Sequence, residues 1–205
     1  SRENKILKEQ LDQSYLNNFV ISREKSFFYD HSSLNKIIND NEFIESYSLA
    51  KLKSFNPNIF NCCDKHRMYI EIIQNSNKDI KEAAVFNETG IIGQVINNKS
   101  FYEVMLLTDT KSSIPLTNSK ENFYCNALGS GVSDYITCSY NQLVWSDDHE
   151  LGEKFFSSGL GGIYPKGIEI GKLESKKIID PSTTLLKIKL ISNPLHSSLF
   201  GVIKL

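Results

Sequence analysis

A chain of 205 residues with 40% hydrophobic side chains is long enough to bury the core of one large domain or two small ones. Its 23 basic and 24 acidic residues give a formal net charge of −1, which supplies no footprint for nucleic acid or for an anionic membrane surface. No apolar run approaches the roughly 20 residues of a membrane span, and no charged-then-apolar leader opens the chain.

The opening "SRENKILKEQ" has helix character without a cap and without Met. It reads as the interior of a longer protein, with room for an anchor upstream. Residues 1–41 contain no Gly and no Pro. Leu7, Leu11, Leu16, Val20, Phe27, Leu34 and Ile38 recur at steps near three and four or their multiples, as one helix face requires. The seam is imperfect, because Arg23 and Asp30 fall on it. A helix of about 40 residues would reach about 60 Å. So thin an apolar stripe needs a partner helix, and the seven residues are assigned to the interface of a coiled-coil homodimer. The alternative is a helix packed on its own domain.

After Asn41 the apolar period shifts from near 3.6 to near 2. Strands are predicted at "SYSLAKL", "RMYIEII", "AAVF", "IIGQVI", "YEVMLLT", "SIPLT", "FYCNAL", "YITCSY", "EKFFSS", "GIEIGKL", "LLKIKLI" and "FGVIKL". Turn segments such as "NETG", "NSNKD", "LGSGVSD" and "NPLHSS" separate them. About a dozen short strands without intervening helices predict a mainly β protein, either one all-β unit or two small six-stranded β-barrels.

Four cysteines are present and none forms a CxxC pair, so a structural zinc site is not expected. Adjacent Cys62 and Cys63 cannot easily bridge each other. Cys125 and Cys138 flank a glycine turn and could be cross-strand neighbours. Two buried free thiols are preferred there, since buried cysteine behaves as a small hydrophobe, with a disulfide as the alternative.

Three features invite a chemical reading. His66, Asp109 and Ser158 follow the chain order of a chymotrypsin-like triad, which two six-stranded barrels could house. Against it, "GLGG" follows the serine, no Gly-Asp step precedes it, and His66 sits at a polar loop edge. "SDDHELGE" holds Asp147, Asp148, His149 and Glu150, but one local acidic cluster is better read as a solvated turn than as a metal site. "SSGLGGIYPKG" lacks the GK[ST] ending and following helix of a phosphate loop. It is read instead as a turn that uses its glycines for positive φ, and no cofactor is expected. The same structural role is assigned to Gly90, Gly93, Gly129, Gly131, Gly159, Gly161, Gly162, Pro165 and Gly167.

Taken together, "ETGIIGQVINNKSFYEVMLLTD", "SIPL", "ALGSG", "LGEKFFSSGLGGIYPKGIEIGKL" and "FGVIKL" resemble the periplasmic part of the MreC family of rod-shape-determining proteins. The resemblance covers about residues 80–205. Glu153 stands where the family usually has Asp, and Ser157 replaces the usual Thr. The resemblance implies a non-enzymatic scaffold on the periplasmic side of the inner membrane, anchored by a transmembrane helix that precedes this chain. It implies a coiled coil over 1–41, a first barrel from 42–97 plus 167–205, and a second from 98–166. The implied partners are a second copy, penicillin-binding protein 2, MreD, RodA and MreB. The glycine-rich turn would lie at the junction of the barrels, and an oxidising periplasm would permit a Cys125–Cys138 bridge. The competing function is the two-barrel serine hydrolase.

Overall fold

The computed structural model describes residues 3–15, 47–56, 64–74, 79–87, 89–98, 101–145, 148–195 and 198–205. A helix covers 3–15. Twelve strands follow: β1 (Tyr47–Phe55), β2 (Arg67–Gln74), β3 (Ala84–Asn87), β4 (Gly90–Asn98), β5 (Tyr102–Leu106), β6 (Ser113–Asn118), β7 (Tyr124–Gly129), β8 (Tyr135–Asn141), β9 (Lys154–Ser157), β10 (Glu169–Asp180), β11 (Thr183–Leu190) and β12 (Leu199–Ile203).

They close into two antiparallel barrels of six, ordered β1-β12-β3-β4-β5-β2 and β10-β11-β8-β7-β6-β9. Closure pairs the edges that open sheets must otherwise protect. The chain makes five strands of the first barrel, builds the whole second barrel, and returns once to insert β12 between β1 and β3. The barrel boundaries therefore differ from those expected. β5 lies in the first barrel rather than the second, and β10 and β11 lie in the second rather than the first. Composition does not distinguish these strands; only their pairing does. Gly171 opposite Leu190 and Phe155 ties β10 to β11 and β9, and Arg67 opposite Met105 ties β5 to β2.

Period-2 patterning places the cores. In β8, Ile136, Cys138 and Tyr140 point inward between more exposed neighbours, and in β11 so do Leu186 and Ile188. Phe155, Leu116 and Ile114 complete that core. Each large side chain buried there contributes about 1.5–3 kcal/mol. Met68, Ile70, Val85, Val104, Phe200 and Val202 fill the first barrel. Ala84 and Ile91, from β3 and β4, belong to the second barrel's cluster, so apolar packing is continuous across the junction.

The sulfurs of Cys125 and Cys138 are bonded, at a Cα–Cα distance of 6.2 Å. Ala127 stands opposite Cys138, and Cys125 lies two residues along β7, diagonally across the pair. The preferred reading of free thiols is thereby corrected: the hairpin register brings both side chains to one face.

A long coiled-coil helix is not what the described residues show. Within 3–15, Leu7 and Leu11 are 57% and 51% exposed, and the helix meets the first barrel through Asp12, whose carboxylate lies 3.5 Å from Ser198 Oγ. Leu16, Val20, Phe27, Leu34 and Ile38 lie outside the described residues.

Candidate functional site

The junction of the barrels is built from the link between β5 and β6. Its centre is Asp109, fully buried. One carboxylate oxygen accepts the backbone N–H of His66 at 2.8 Å and lies 3.3 Å from Arg67 Nε; the other accepts the backbone N–H of Lys111 at 2.9 Å. Arg67, itself buried, is also 3.7 Å from Glu103. His66 Nδ1 lies 2.7 Å from Thr108 Oγ1. Burial lowers the His66 imidazole below its ordinary 6.5, and the Asp109 charge opposes this with smaller effect. Backbone bonds finish the joint: Thr110 N–H donates to Asp64 O, Gly129 N–H to Ser112 O and Gly131 N–H to Thr108 O.

These bonds decide the triad question. Asp109 and His66 are neighbours, but the carboxylate holds the backbone N–H of His66 while the ring faces Thr108. A catalytic aspartate must instead orient the imidazole. Ser158 belongs to a turn of the second barrel, where its N–H donates to Pro115 O and its Oγ accepts from Leu160 N–H. The three residues are structural.

The "SSGLGG" turn is also structural in its bonding. Ser157 Oγ donates to Pro165 O and accepts from Ile168 N–H, closing the loop on itself. Gly161 and Gly162 have φ of 81° and 67° and face open space. Tyr164, in the same loop and 2% exposed, donates its hydroxyl to Gln94 Oε1 of β4 at 3.1 Å and so reaches the first barrel. Burial raises its phenol far above the ordinary range. Gly159, Gly167 and Gly131 also carry positive φ, and Pro165 supplies the carbonyl for Ser157. Gly90 begins β4 with φ 147°. Gly93 and Gly129 depart from the turn assignment: both sit in strands, where a neighbouring backbone leaves no room for Cβ.

His149 does not lie in a solvated turn. It is buried, its ring 4.3 Å from that of Phe123 and 5.4 Å from that of Tyr140, with Nδ1 2.7 Å from Glu153 Oε2. Asp148 and Glu150 stay exposed, and Asp147 lies outside the described residues. Among the described residues no three His, Cys, Asp or Glu side chains are grouped to hold a metal.

What remains for function is surface. Leu7, Leu11 and Tyr15 form an exposed row at four-residue spacing on the helix. A second surface was not anticipated. β10 runs to Asp180, past its predicted end at Leu173, and carries exposed Ile178 and Ile179. The signal was present in "KKIIDPST", a β-branched pair ahead of an Asp-Pro turn.

Residues 59–203 match the family model described as "Rod shape-determining protein MreC, barrel core". The chain is 27% identical over 177 residues to the cell shape-determining protein MreC of Haemophilus influenzae, covering 84% of this chain and 47% of that protein. It thus spans about half the length of that curated relative. Its fold is similar to that of MreC from Listeria monocytogenes, with a TM-score of 0.64 at 24% identity over 98% of this chain and 95% of that one. It is also similar to a chain in a complex between a penicillin-binding protein (PBP2) and MreC from Helicobacter pylori, with a TM-score of 0.57 at 17% identity over 77% and 96%.

Proposed function

The chain belongs to the MreC family of rod shape-determining proteins, and from that premise we propose that it is a non-enzymatic scaffold of the bacterial cell-wall elongation complex. The observation that carries the mechanism is the exposed row of Leu7, Leu11 and Tyr15 on a helix that leads into two closed barrels. An apolar helix stripe left in water is stabilised by a second helix, so the reading is a dimer paired through the N-terminal segment, presenting its barrels to the peptidoglycan synthesis machinery. The bonding of His66, Asp109 and Ser158 within structural joints supports a role without catalysis.

The relative from Helicobacter pylori, seen in a complex with a penicillin-binding protein (PBP2), supports penicillin-binding protein 2 as a direct partner. MreD, RodA and MreB complete the proposed assembly. The proposed location is the periplasmic side of the inner membrane, with an anchor before residue 1. No helix among the described residues is long and apolar enough to cross a membrane.

Solution mass tests the reading. Light scattering is expected to give a dimer for the whole chain and a monomer once 1–41 are removed. Two monomers would remove the paired scaffold. Co-purification with penicillin-binding protein 2 then tests the partner.

A further inference from the structure

β10, Glu169–Asp180, has unequally occupied edges. Toward β11 it is paired from Gly171 to Asp180, with register shifts between Leu173 and Ser175 and between Ile178 and Asp180. Toward β9 its register ends at Lys172 opposite Lys154, and the last backbone bonds on that side run from Leu173 N–H to Glu153 O and from Gly152 N–H to Leu173 O, both 2.8 Å. From Glu174 to Asp180 this edge borders no strand among the described residues, and all seven are exposed. β11 and β8 back the segment, with Thr183 opposite Asn141 and Gln142 N–H donating to Ser182 O. The second barrel thus extends a supported strand with one side unpaired among the described residues.

The charge of this ribbon differs from that of the chain. Lys172, Lys176, Lys177, Lys187 and Lys189 outnumber Glu174 and Asp180 along the ribbon, a net +3 over 172–189 in a chain of net −1. Both carboxylates are engaged locally. Glu174 accepts from Tyr135 Oη at 2.8 Å and pairs with Lys187 at 3.2 Å; Asp180 accepts from Ser182 N–H and Oγ, each 2.8 Å. Lysine on an open edge discourages accidental pairing. Simple protection does not explain why Ile178 and Ile179, 65% and 53% exposed, stand on the same strand segment as the lysines. An edge offering backbone groups, apolar side chains and positive charge selects a strand of particular composition.

We infer that the β10 edge from Glu174 to Asp180 is a docking strand for an extended acidic segment of a partner protein, which adds to the second barrel as a further strand. Lys176 and Ile178 lie on one face of the strand and Lys177 on the other. Backbone bonding supplies affinity, consecutive carboxylates of the segment, one on each face, meet Lys176 and Lys177 and fix register, and consecutive apolar residues meet Ile178 and Ile179. A second copy is disfavoured because it would bring two ribbons of net +3 together. An anionic membrane would use the lysines but not the open backbone edge. The inference deepens the scaffold reading and rests on it for the expectation that the ligand is a protein.

The test uses the whole chain and a fluorescent eight-residue peptide of alternating Glu-Glu and Val-Val pairs, which puts carboxylates and apolar side chains on both faces of the strand, with the corresponding Lys-Lys and Val-Val peptide as control. Saturable binding of the Glu peptide alone is expected, weakening with salt, together with slowed amide exchange across 174–180. Lys176→Glu and Lys177→Glu should each weaken binding by about tenfold. Ile179→Asp should weaken it while circular dichroism stays unchanged. The inference is overturned by absent binding or by binding without protection at 174–180. It is equally overturned if the ribbon binds only phosphatidylglycerol vesicles, or if it self-associates through this edge. A chain that dimerises and co-purifies with penicillin-binding protein 2 yet ignores the peptide overturns the docking strand alone.

Discussion

The carboxylate of Asp109 accepts the backbone N–H of His66 at 2.8 Å, joining residues 43 positions apart. The bond fastens the approach to β2 of the first barrel onto the link that enters the second. Asp109 also neutralises Arg67, which has a buried guanidinium nitrogen, Nη1, facing no acceptor among the described residues. Asp109→Ala would leave that cation with only Glu103 at 3.7 Å. Removing one partner of a buried pair costs about 3–5 kcal/mol, and Asp109→Asn, which keeps an acceptor, should cost less. Urea unfolding measures both; an unchanged midpoint for Asp109→Ala would mean the joint does not depend on it.

Two glycines should respond to alanine for different reasons. A Cβ at Gly129 would stand 1.8 Å from the carbonyl oxygen of Asp109, and backbone cannot step aside cheaply. At Gly161 nothing lies within 4 Å, but φ is 81°. Gly161→Ala is expected to cost about 1–2 kcal/mol from the left-handed backbone alone. Gly129→Ala should cost more and loosen the junction. Thermal melts of the two variants give the order, and the reverse order would contradict the contact geometry.

The Cys125–Cys138 bridge spans 13 residues of the second barrel. A loop near that length constrains the unfolded chain by about 3 kcal/mol. The double variant Cys125→Ser, Cys138→Ser, and the reduced wild-type chain, should each unfold earlier in urea by a similar amount. A double variant as stable as the oxidised chain would show that the bridge contributes nothing to the fold.

Some of this was legible in the residues and some was not. All twelve strands were found because alternation from "SYSLAKL" to "FGVIKL" is a local signal. Barrel membership was not, because β5 and β10 look like any other half-buried strands and only long-range pairing sorts them. The end of β10 was missed because "ESKKIID" lacks alternation, as befits a segment with no core to face. The cysteine pairing needed the β7–β8 register, which spacing alone leaves open. His149 read as solvated because three acids surround it in sequence, while Phe123 and Tyr140 surround it in space.

His66 should make stability depend on mild acid. Its imidazole is buried, and Nε2 faces no acceptor among the described residues. A second ring N–H would therefore be unsatisfied, and the neutral form is preferred, with the folded-state pKa below the ordinary 6.5. The unfolded chain binds this proton more readily than the folded one. The contribution is therefore fully present above the ordinary value and lost as pH falls through the lower folded value. Carboxylates elsewhere add their own acid sensitivity, so the informative quantity is the difference from His66→Asn, which keeps a polar group near Thr108. Between pH 7.5 and pH 5.5 the wild-type melting temperature should fall further than that of His66→Asn. Parallel losses in the two proteins would show that His66 is not held neutral, and the joint would then have to accommodate an imidazolium beside Arg67.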